Sequence, residues 1–174
     1  MGASDVTLFA KWTPLYALRD TGPAGGLIFY VKESGYSGGW MYLEAAHSDQ
    51  SVGAEWGCYG TLISGADGTA VGTGKQNTID IEAECTTANT AADICATLIS
   101  LGGYDDWFLP SKDELNLMYT NLKVHEVGGF KSQDYWSSSE NDAYSAWLQG
   151  FYNVYQGLNY KNYGNVWVRA VRAF

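Results

Sequence analysis

The spacing of apolar residues predicts strands near both ends of the chain and helices near its middle. Residues 27–32 and 40–44 are short apolar runs that predict two strands, joined by the glycine-rich loop 35–39. From residue 58 to residue 74 the chain is rich in Gly, Ser and Thr, which predicts a loop. Apolar residues then recur at helical spacing across 79–98, and this spacing predicts a first helix.

A second helix is predicted to begin after Pro110. Ser111 is a typical N-cap residue, and Glu114 three positions later completes a capping box. The residues that follow carry an apolar stripe formed by Leu115, Met118 and Leu122. Short strand-like runs lie on either side of this helix, at 107–109, 135–138, 146–152 and 166–174. The predicted fold class is therefore α+β, with two helices and short mixed strands.

Composition narrows the range of proteins that this pattern fits. The 174 residues correspond to one domain of ordinary size, and 46% of them are apolar, which is enough for a buried core. The charged fraction of 17% excludes a charge-rich disordered chain and a coiled coil. A net charge of −9 argues against a nucleic-acid partner, and no run of 18 apolar residues is present that would insert into a membrane.

The charges are unevenly distributed along the chain. All 19 acidic residues lie at or before Asp142, whereas residues 144–174 contain Lys161, Arg169, Arg172 and no acid. A change of composition this sharp within one domain predicts a separate role for the last part of the chain.

Tyrosine and asparagine are concentrated in that same part. Residues 144–165 hold five tyrosines and four asparagines, with Ser and Gly between them and no apolar periodicity. Tyrosine offers a large amphipathic contact area at low entropic cost, and small polar residues adapt their hydrogen bonds, as in antibody paratopes. The composition favours a ligand-binding surface, and an irregular polar surface loop is the alternative.

The three cysteines, Cys58, Cys85 and Cys95, permit one disulfide and one free thiol. Cys85 and Cys95 are close enough in sequence to bridge a loop to a helix, and three buried thiols are the alternative. The chain has no C-x-x-C motif and only two histidines, so we expect neither a metal site nor a cofactor.

One short motif matches a catalytic signature without its structural context. Gly35, Ser37 and Gly39 fit G-x-S-x-G, but a nucleophile elbow requires a helix directly afterwards. The segment WMYLE that follows here predicts a strand instead. Because no other motif assembles a Ser, His and Asp set, we expect no enzymatic activity.

The segment VTLFAKWT near the N-terminus lies in a stretch of alternating apolar and polar residues, 5–16, that predicts a strand. It resembles the closing strand of the short β-grasp repeats of bacterial surface proteins of the internalin and Bacteroides type. The resemblance implies that residues 1–19 are the end of an upstream surface repeat with a linker. It also implies an extracellular, cell-surface location, with this chain a fragment of a longer exported protein.

A longer resemblance covers residues 20–174. The segments DTGPAGGLIFYV, WGCYGT, GGYDDWFLPSKDELNLMY, YWSSSEND and VRAVRAF follow one another in order. Together they resemble the domain shared by the C-terminal part of the Legionella collagen-like protein and the variable proteins of diversity-generating retroelements. The resemblance implies a C-type lectin-like fold of the formylglycine-generating-enzyme subtype, whose C-terminal segment displays the ligand-contacting side chains. The enzyme of that fold uses cysteine chemistry late in the domain, whereas the last cysteine here is Cys95.

In the retroelement proteins, template adenines are copied unfaithfully, so AAC-type codons scatter at their first two bases. Such codons reach Tyr, Ser, Gly, Leu, Val and Asn among others, but never Trp, Gln, Lys, Met or Glu. We therefore predict a variable region at 144–166 within a ligand-binding domain spanning 20–174. Its predicted ligand-contacting residues are Tyr144, Ser145, Leu148, Gly150, Tyr152, Val154, Tyr155, Leu158, Asn159, Tyr160, Tyr163 and Gly164. The predicted scaffold residues between them are Trp147, Gln149, Phe151, Gln156 and Lys161.

The resulting expectation is a non-enzymatic module that recognises a receptor or mediates adhesion. Its partner is an unidentified protein or glycan, bound without a metal ion, and we expect the domain to be a monomer. The alternative is a non-diversified adhesin that binds a glycosaminoglycan or another glycan, with which the basic tail is compatible. An oxidase of the sulfatase-activating type is disfavoured because the late cysteines are missing.

Overall fold

The computed structural model describes residues 13–33 and 38–174, and these residues form a mixture of helices and strands. In chain order the strands are β1 Leu27–Val31, β2 Tyr42–Ala45, β3 Ser51–Ala54, β4 Asp134–Glu140, β5 Ser145–Gly150, β6 Gln156–Tyr160, β7 Val166–Val168 and β8 Val171–Ala173. The helices are α1 Gly74–Glu84, α2 Ala91–Ala96 and α3 Lys112–Asn121, with a short 3-10 helix at Lys123–His125. The predicted α+β class is confirmed, and the C-type lectin-like assignment stays a prediction.

The strands form two sheets, and the core lies between these sheets and the helices. A three-stranded antiparallel sheet has the order β1-β2-β8, and a five-stranded sheet has the order β3-β7-β4-β5-β6. In the larger sheet β4 and β7 are parallel, and the other neighbours are antiparallel. A backbone bridge between Phe108 and Val171 connects the loop before α3 to the smaller sheet. The larger sheet matters most here because its last two strands carry the tyrosine-rich segment.

The single helix predicted across 79–98 is wrong, because the structure contains two helices there. Backbone at Cys85 is extended after α1, and Asn89 adopts a left-handed conformation with φ of 60°. Thr90 then caps α2 through a capping box with Asp93, whose N–H donates to the Thr90 hydroxyl at 3.1 Å. Local hydrogen bonding therefore starts a new helix within the apolar repeat. No helix among residues 13–33 and 38–174 is long and apolar enough to span a membrane.

The capping box predicted at the start of α3 is confirmed. The N–H of Glu114 donates to the Ser111 hydroxyl at 3.3 Å, and the N–H of Ser111 donates to the Glu114 carboxylate at 2.8 Å. The second carboxylate oxygen of Glu114 accepts the N–H of Gly72 at 2.7 Å, which joins the preceding loop to the helix. Leu115, Met118 and Leu122 are buried, so the predicted apolar stripe of this helix is also confirmed.

The predicted strands agree with the structure in part, and the single run predicted at 166–174 is two strands, β7 and β8, that lie in different sheets. Runs 27–32 and 40–44 correspond to β1 and β2, but 107–109 contributes only the bridge at Phe108. Strands β3 and β6 were not predicted, because their sequences, SVGA and QGLNY, lack an apolar alternation. The strand predicted at 5–16 and the loop at 35–39 lie largely outside the described residues, and the described part, residues 13–16, contains no strand.

The disulfide joins Cys58 to Cys85, so the pairing of Cys85 with Cys95 is wrong. Cys95 is free and fully buried on the inner side of α2, where burial raises the pKa of its thiol above the ordinary value. Cys85 directly follows α1 and meets the loop around Cys58 instead. The disulfide therefore anchors that loop to the end of a helix, next to the predicted contact segment at 144–166.

Candidate functional site

The predicted variable region folds mainly as a hairpin at the edge of the larger sheet. Strand β5 pairs antiparallel with β6, with Ser145 opposite Tyr160 and Trp147 opposite Leu158. Residues 151–155 form the turn, and β6 is the last strand of the sheet. The strand predicted at 146–152 thus ends earlier, at Gly150.

Most of the predicted contact residues are accessible to a ligand. Seven of them expose 45–73% of their surface: Tyr144, Tyr152, Val154, Tyr155, Leu158, Tyr160 and Tyr163. Gly164 is exposed as well, and Ser145 and Asn159 are half-buried. Leu148 and Gly150 are buried, since Leu148 packs in the core cluster beside Trp136. We therefore leave Leu148 and Gly150 out of the contact surface.

Three tyrosines meet at the open end of the hairpin. The ring of Tyr59, from the loop before α1, lies 5.3 Å from the ring of Tyr144 and 6.0 Å from that of Tyr160, in edge-to-face geometry. We call Tyr59, Tyr144 and Tyr160 the base cluster. Asp142 accepts the backbone N–H groups of Tyr144 and Ser145, both at 2.8 Å, and these bonds lower the pKa of its carboxyl. The turn that carries Tyr144 is therefore fixed by an ionised side chain.

A second group of exposed side chains lies at the turn of the hairpin. We call Tyr152, Val154 and Tyr155 the tip cluster. The Tyr155 ring lies directly on the Cα of Gly157, because any Cβ at that position would overlap the ring. The carbonyl of Tyr155 accepts the N–H of Gly150 at 2.8 Å, which closes the turn. The nearby carboxylate of Asp134 raises the pKa of Tyr152.

The predicted scaffold residues make specific internal contacts. The Lys112 ammonium lies 3.8 Å from the centre of the Trp147 ring, and the Gln156 amide donates to the Lys112 carbonyl at 3.0 Å. The Gln149 amide donates to the Tyr155 carbonyl at 3.1 Å. Phe151 is buried against Tyr135, with ring centroids 4.4 Å apart. The contacts of Trp147, Gln156 and Phe151 connect the hairpin to α3 and to the core, and the bond of Gln149 holds its turn.

Lys161 and Glu140 form an ion pair inside the protein, in direct contact and almost fully buried. The Lys161 ammonium also donates to the carbonyl of Thr61 at 2.8 Å and lies 4.6 Å from the centre of the Trp56 ring. The Glu140 carboxylate accepts the N–H of Ile63 at 3.0 and 3.1 Å. The pair therefore ties the end of β6 and the end of β4 to the loop that follows Tyr59.

All three basic residues of the C-terminal part are internal. Arg169 is 1% exposed and pairs with Asp49 at 2.7 Å, and Arg172 is 3% exposed and pairs with Asp106 at 2.8 Å. Lys161 is 0% exposed. The positive charge of this part of the sequence is thus neutralised within the fold, and it gives the hairpin surface no cation for a polyanion.

Across the parts of the chain that the structure describes, no three His, Cys, Asp or Glu residues are grouped so as to hold a metal ion.

Tyr59 was not among the predicted contact residues, because it lies far from 144–166 in the sequence. The signal for it was a tyrosine in a Gly-Cys-Tyr-Gly sequence, where two glycines and a cysteine mark an exposed, anchored turn.

Comparison with known proteins identifies the family. The family model of the Lcl C-terminal domain, from the Legionella collagen-like protein, matches residues 46–172, well over half of the chain. The chain therefore belongs to this family, a bacterial surface-protein domain. No curated protein matches the chain.

The buried ion pair predicts a large effect of Lys161 on stability. Lys161→Met should lower the free energy of unfolding by about 3–5 kcal/mol, because it leaves the Glu140 carboxylate buried without its partner. Adding Glu140→Gln should recover part of this loss, because the unpaired charge is removed. Urea denaturation followed by tryptophan fluorescence measures both effects, with the exposed Lys75→Met as the control. A loss no greater than that of Lys75→Met would show that the pair contributes little.

Proposed function

We propose that this member of the Lcl C-terminal domain family is a non-enzymatic recognition module at the bacterial surface, and that it binds its partner through the β5–β6 hairpin. The observation that carries the proposal is the set of large exposed side chains on that one hairpin. A partner that covers such groups removes their apolar surface from water, which is favourable. Contiguous exposed apolar surface therefore commonly marks an interaction site.

The rigidity of the hairpin supports the same proposal. Its backbone is fixed by the bonds of Asp142, Gln149 and Gln156 and by the Lys161–Glu140 pair. A surface whose rings are already placed loses less conformational entropy on binding than a flexible one. Each buried aromatic contact then contributes roughly 0.5–1.5 kcal/mol beyond its area.

An extracellular location is supported by two independent features. The family is one of surface-associated collagen-like proteins. The Cys58–Cys85 disulfide is of a kind that persists in oxidising compartments and is rare in the cytosol.

The cysteines also support a binding role over an oxidase role. Cys58 and Cys85 are bonded to each other, and Cys95 is fully buried with a thiol pKa raised by burial. Catalytic cysteines need an accessible thiol that ionises readily. None of the three meets that requirement.

We further propose that the hairpin is diversified by a retroelement. Of the positions that AAC-type codons cannot reach, Trp147, Gln156 and Lys161 contact residues outside the hairpin, and Gln149 bonds the Tyr155 carbonyl within it. The reachable Phe151 is an exception, because it packs against Tyr135 in the core. Most of the reachable positions point to solvent, where substitution leaves packing intact. This separation is what a scaffold that tolerates variation requires.

Removing four of the exposed rings should strongly weaken recognition. Replacing Tyr144, Tyr152, Tyr155 and Tyr160 together by Ala should weaken binding by about 100-fold or more, because the main contact area is lost. Binding is measured on an array of oligosaccharides and of cell-surface protein ectodomains, and then by titration with the array member that the unaltered domain binds most tightly.

A matched variant controls for the loss of exposed apolar surface in general. Val52, Ile79, Ile99 and Val124 are exposed outside the hairpin, and their joint replacement by Ala should leave the affinity within about 3-fold. Equal affinity of the tyrosine variant and the unaltered domain would refute the proposed site.

Binding should depend only weakly on salt. The hairpin surface receives no cation from Lys161, Arg169 or Arg172, so the affinity for the same array member should change by less than about 3-fold between roughly 50 and 200 mM NaCl. A polyanion bound by clustered cations loses far more over that range. A steep salt dependence, with heparin as the tightest array member, would favour the glycosaminoglycan-binding alternative.

Diversification makes a separate prediction about DNA. A near-copy of the 3′ end of the gene, differing from it only at adenines, should lie close to a reverse transcriptase gene. Sequencing of the flanking DNA measures this directly. If the flanking DNA lacks such a copy, the domain is an ordinary, non-diversified member of the family.

A further inference from the structure

Tyr59 lies about 85 positions before the hairpin in sequence, yet its ring belongs to the same surface. It is 48% exposed and contacts the rings of Tyr144 and Tyr160 at centroid distances of 5.3 and 6.0 Å. A tyrosine kept for the core would be covered by apolar side chains. Tyr59 is instead covered on one side by two exposed tyrosines and open to solvent on the other.

The loop around Tyr59 is held in an unusual backbone conformation. Gly57, Cys58 and Gly60 have φ values of 104°, 49° and 89°. A side chain at Gly57 would overlap the methyl group of Thr90, so this approach requires glycine. Cys58 is a non-glycine residue in the left-handed region, a conformation that costs free energy and persists only where surrounding bonds enforce it.

Those enforcing bonds come from two directions. On the scaffold side, the disulfide joins Cys58 to Cys85, and the Cys58 N–H donates to the Thr87 hydroxyl at 3.2 Å. On the hairpin side, the N–H of Gly57 donates to the Lys161 carbonyl at 3.0 Å, and the N–H of Gly60 donates to the Ala143 carbonyl at 2.8 Å. Ala143 directly precedes Tyr144, and Lys161 directly follows Tyr160. The loop therefore connects the disulfide to the two hairpin tyrosines of the base cluster.

We propose that Tyr59 is a ligand-contacting residue supplied by the scaffold, and that the Cys58–Cys85 disulfide is the positioning device that holds its ring against Tyr144 and Tyr160. This proposal rests on the proposed function, because it extends the same surface. It means that the base cluster contains one ring from outside the hairpin. A domain whose hairpin side chains change would then keep a tyrosine at this edge of its surface.

Titration with the array member identified above tests the contact. Tyr59→Ala should weaken binding by at least about 10-fold, and Tyr59→Phe should stay within about 3-fold, because the ring carries the contact. Val124→Ala is the control for loss of an exposed side chain far from the surface. If Tyr144→Ala and Tyr160→Ala weaken binding while Tyr59→Ala does not, this inference fails and the proposed function stands. If none of the three weakens binding while the fourfold tyrosine variant does, the tip cluster carries the contact and only this inference fails. If the fourfold variant also binds as the unaltered domain does, the proposed function fails.

The role of the disulfide is tested by a double-mutant cycle. The Cys58→Ser/Cys85→Ser variant should lose as much affinity as Tyr59→Ala, and combining the two changes should add little further loss. If the disulfide only stabilises the fold, its removal should weaken binding by the same factor in the Tyr59→Ala protein as in the unaltered one. That result would overturn the positioning role.

A measurement without ligand completes the test. In the unaltered domain, nuclear Overhauser effects should connect the ring protons of Tyr59 and Tyr144. In the folded Cys58→Ser/Cys85→Ser variant these effects should disappear, while those between Tyr135 and Phe151 in the core should remain. Persistence of the Tyr59 to Tyr144 effects in that variant would contradict the proposal whatever the binding data show.

Discussion

The contact between Lys161 and Glu140 is the interaction on which the arrangement of the surface depends. It lies where the end of β6, the end of β4 and the loop after Tyr59 meet, and both side chains are almost fully buried. Burying two charges is costly, and the cost is offset only when each charge keeps its hydrogen bonds. Here the ammonium is bonded to the Thr61 carbonyl and the carboxylate to the Ile63 N–H. These bonds join the ends of β6 and β4 to the loop after Tyr59 through groups that are out of reach of solvent.

Sequence patterns predicted the elements whose determinants are local. The capping box of Ser111 and Glu114 and the apolar stripe of α3 depend on residues within three or four positions of each other, and both were predicted. One local signal was overlooked, because the capping box of Thr90 and Asp93 starts α2 within the apolar repeat. The partner of Cys85 depends on a contact with the distant loop around Cys58, so closeness in sequence gave the wrong pairing. Strand β6 was missed for a different reason. Its residues face solvent at a sheet edge, where no apolar alternation is needed.

Some residues of the candidate site were predictable from the sequence, and others were not. Exposed tyrosines in a polar, glycine-containing segment were identifiable from composition, and seven predicted contact residues are indeed accessible. Leu148 is chemically similar to Leu158, yet one is buried and the other exposed, because adjacent strands place them on opposite sides of the hairpin. Tyr59 required the fold, since only the three-dimensional structure brings its loop next to Tyr144. For the basic residues near the C-terminus the sequence was misleading. Their charge is evident from the sequence, but acidic residues neutralise it inside the protein.

The position of β6 at the edge of the sheet has a consequence for solubility. Edge strands expose unpaired backbone groups that promote pairing between molecules, and exposed aromatic side chains add to that tendency. At Tyr160 the outward N–H is bonded to the Asn159 side chain at 2.8 Å, and the outward carbonyl accepts the N–H of Tyr163 at 2.9 Å. These two bonds occupy the groups that a neighbouring strand would use. Asn159 thus withholds the Tyr160 N–H from edge-to-edge pairing, and a hydrophobic residue at this position would leave that donor available to a neighbouring strand.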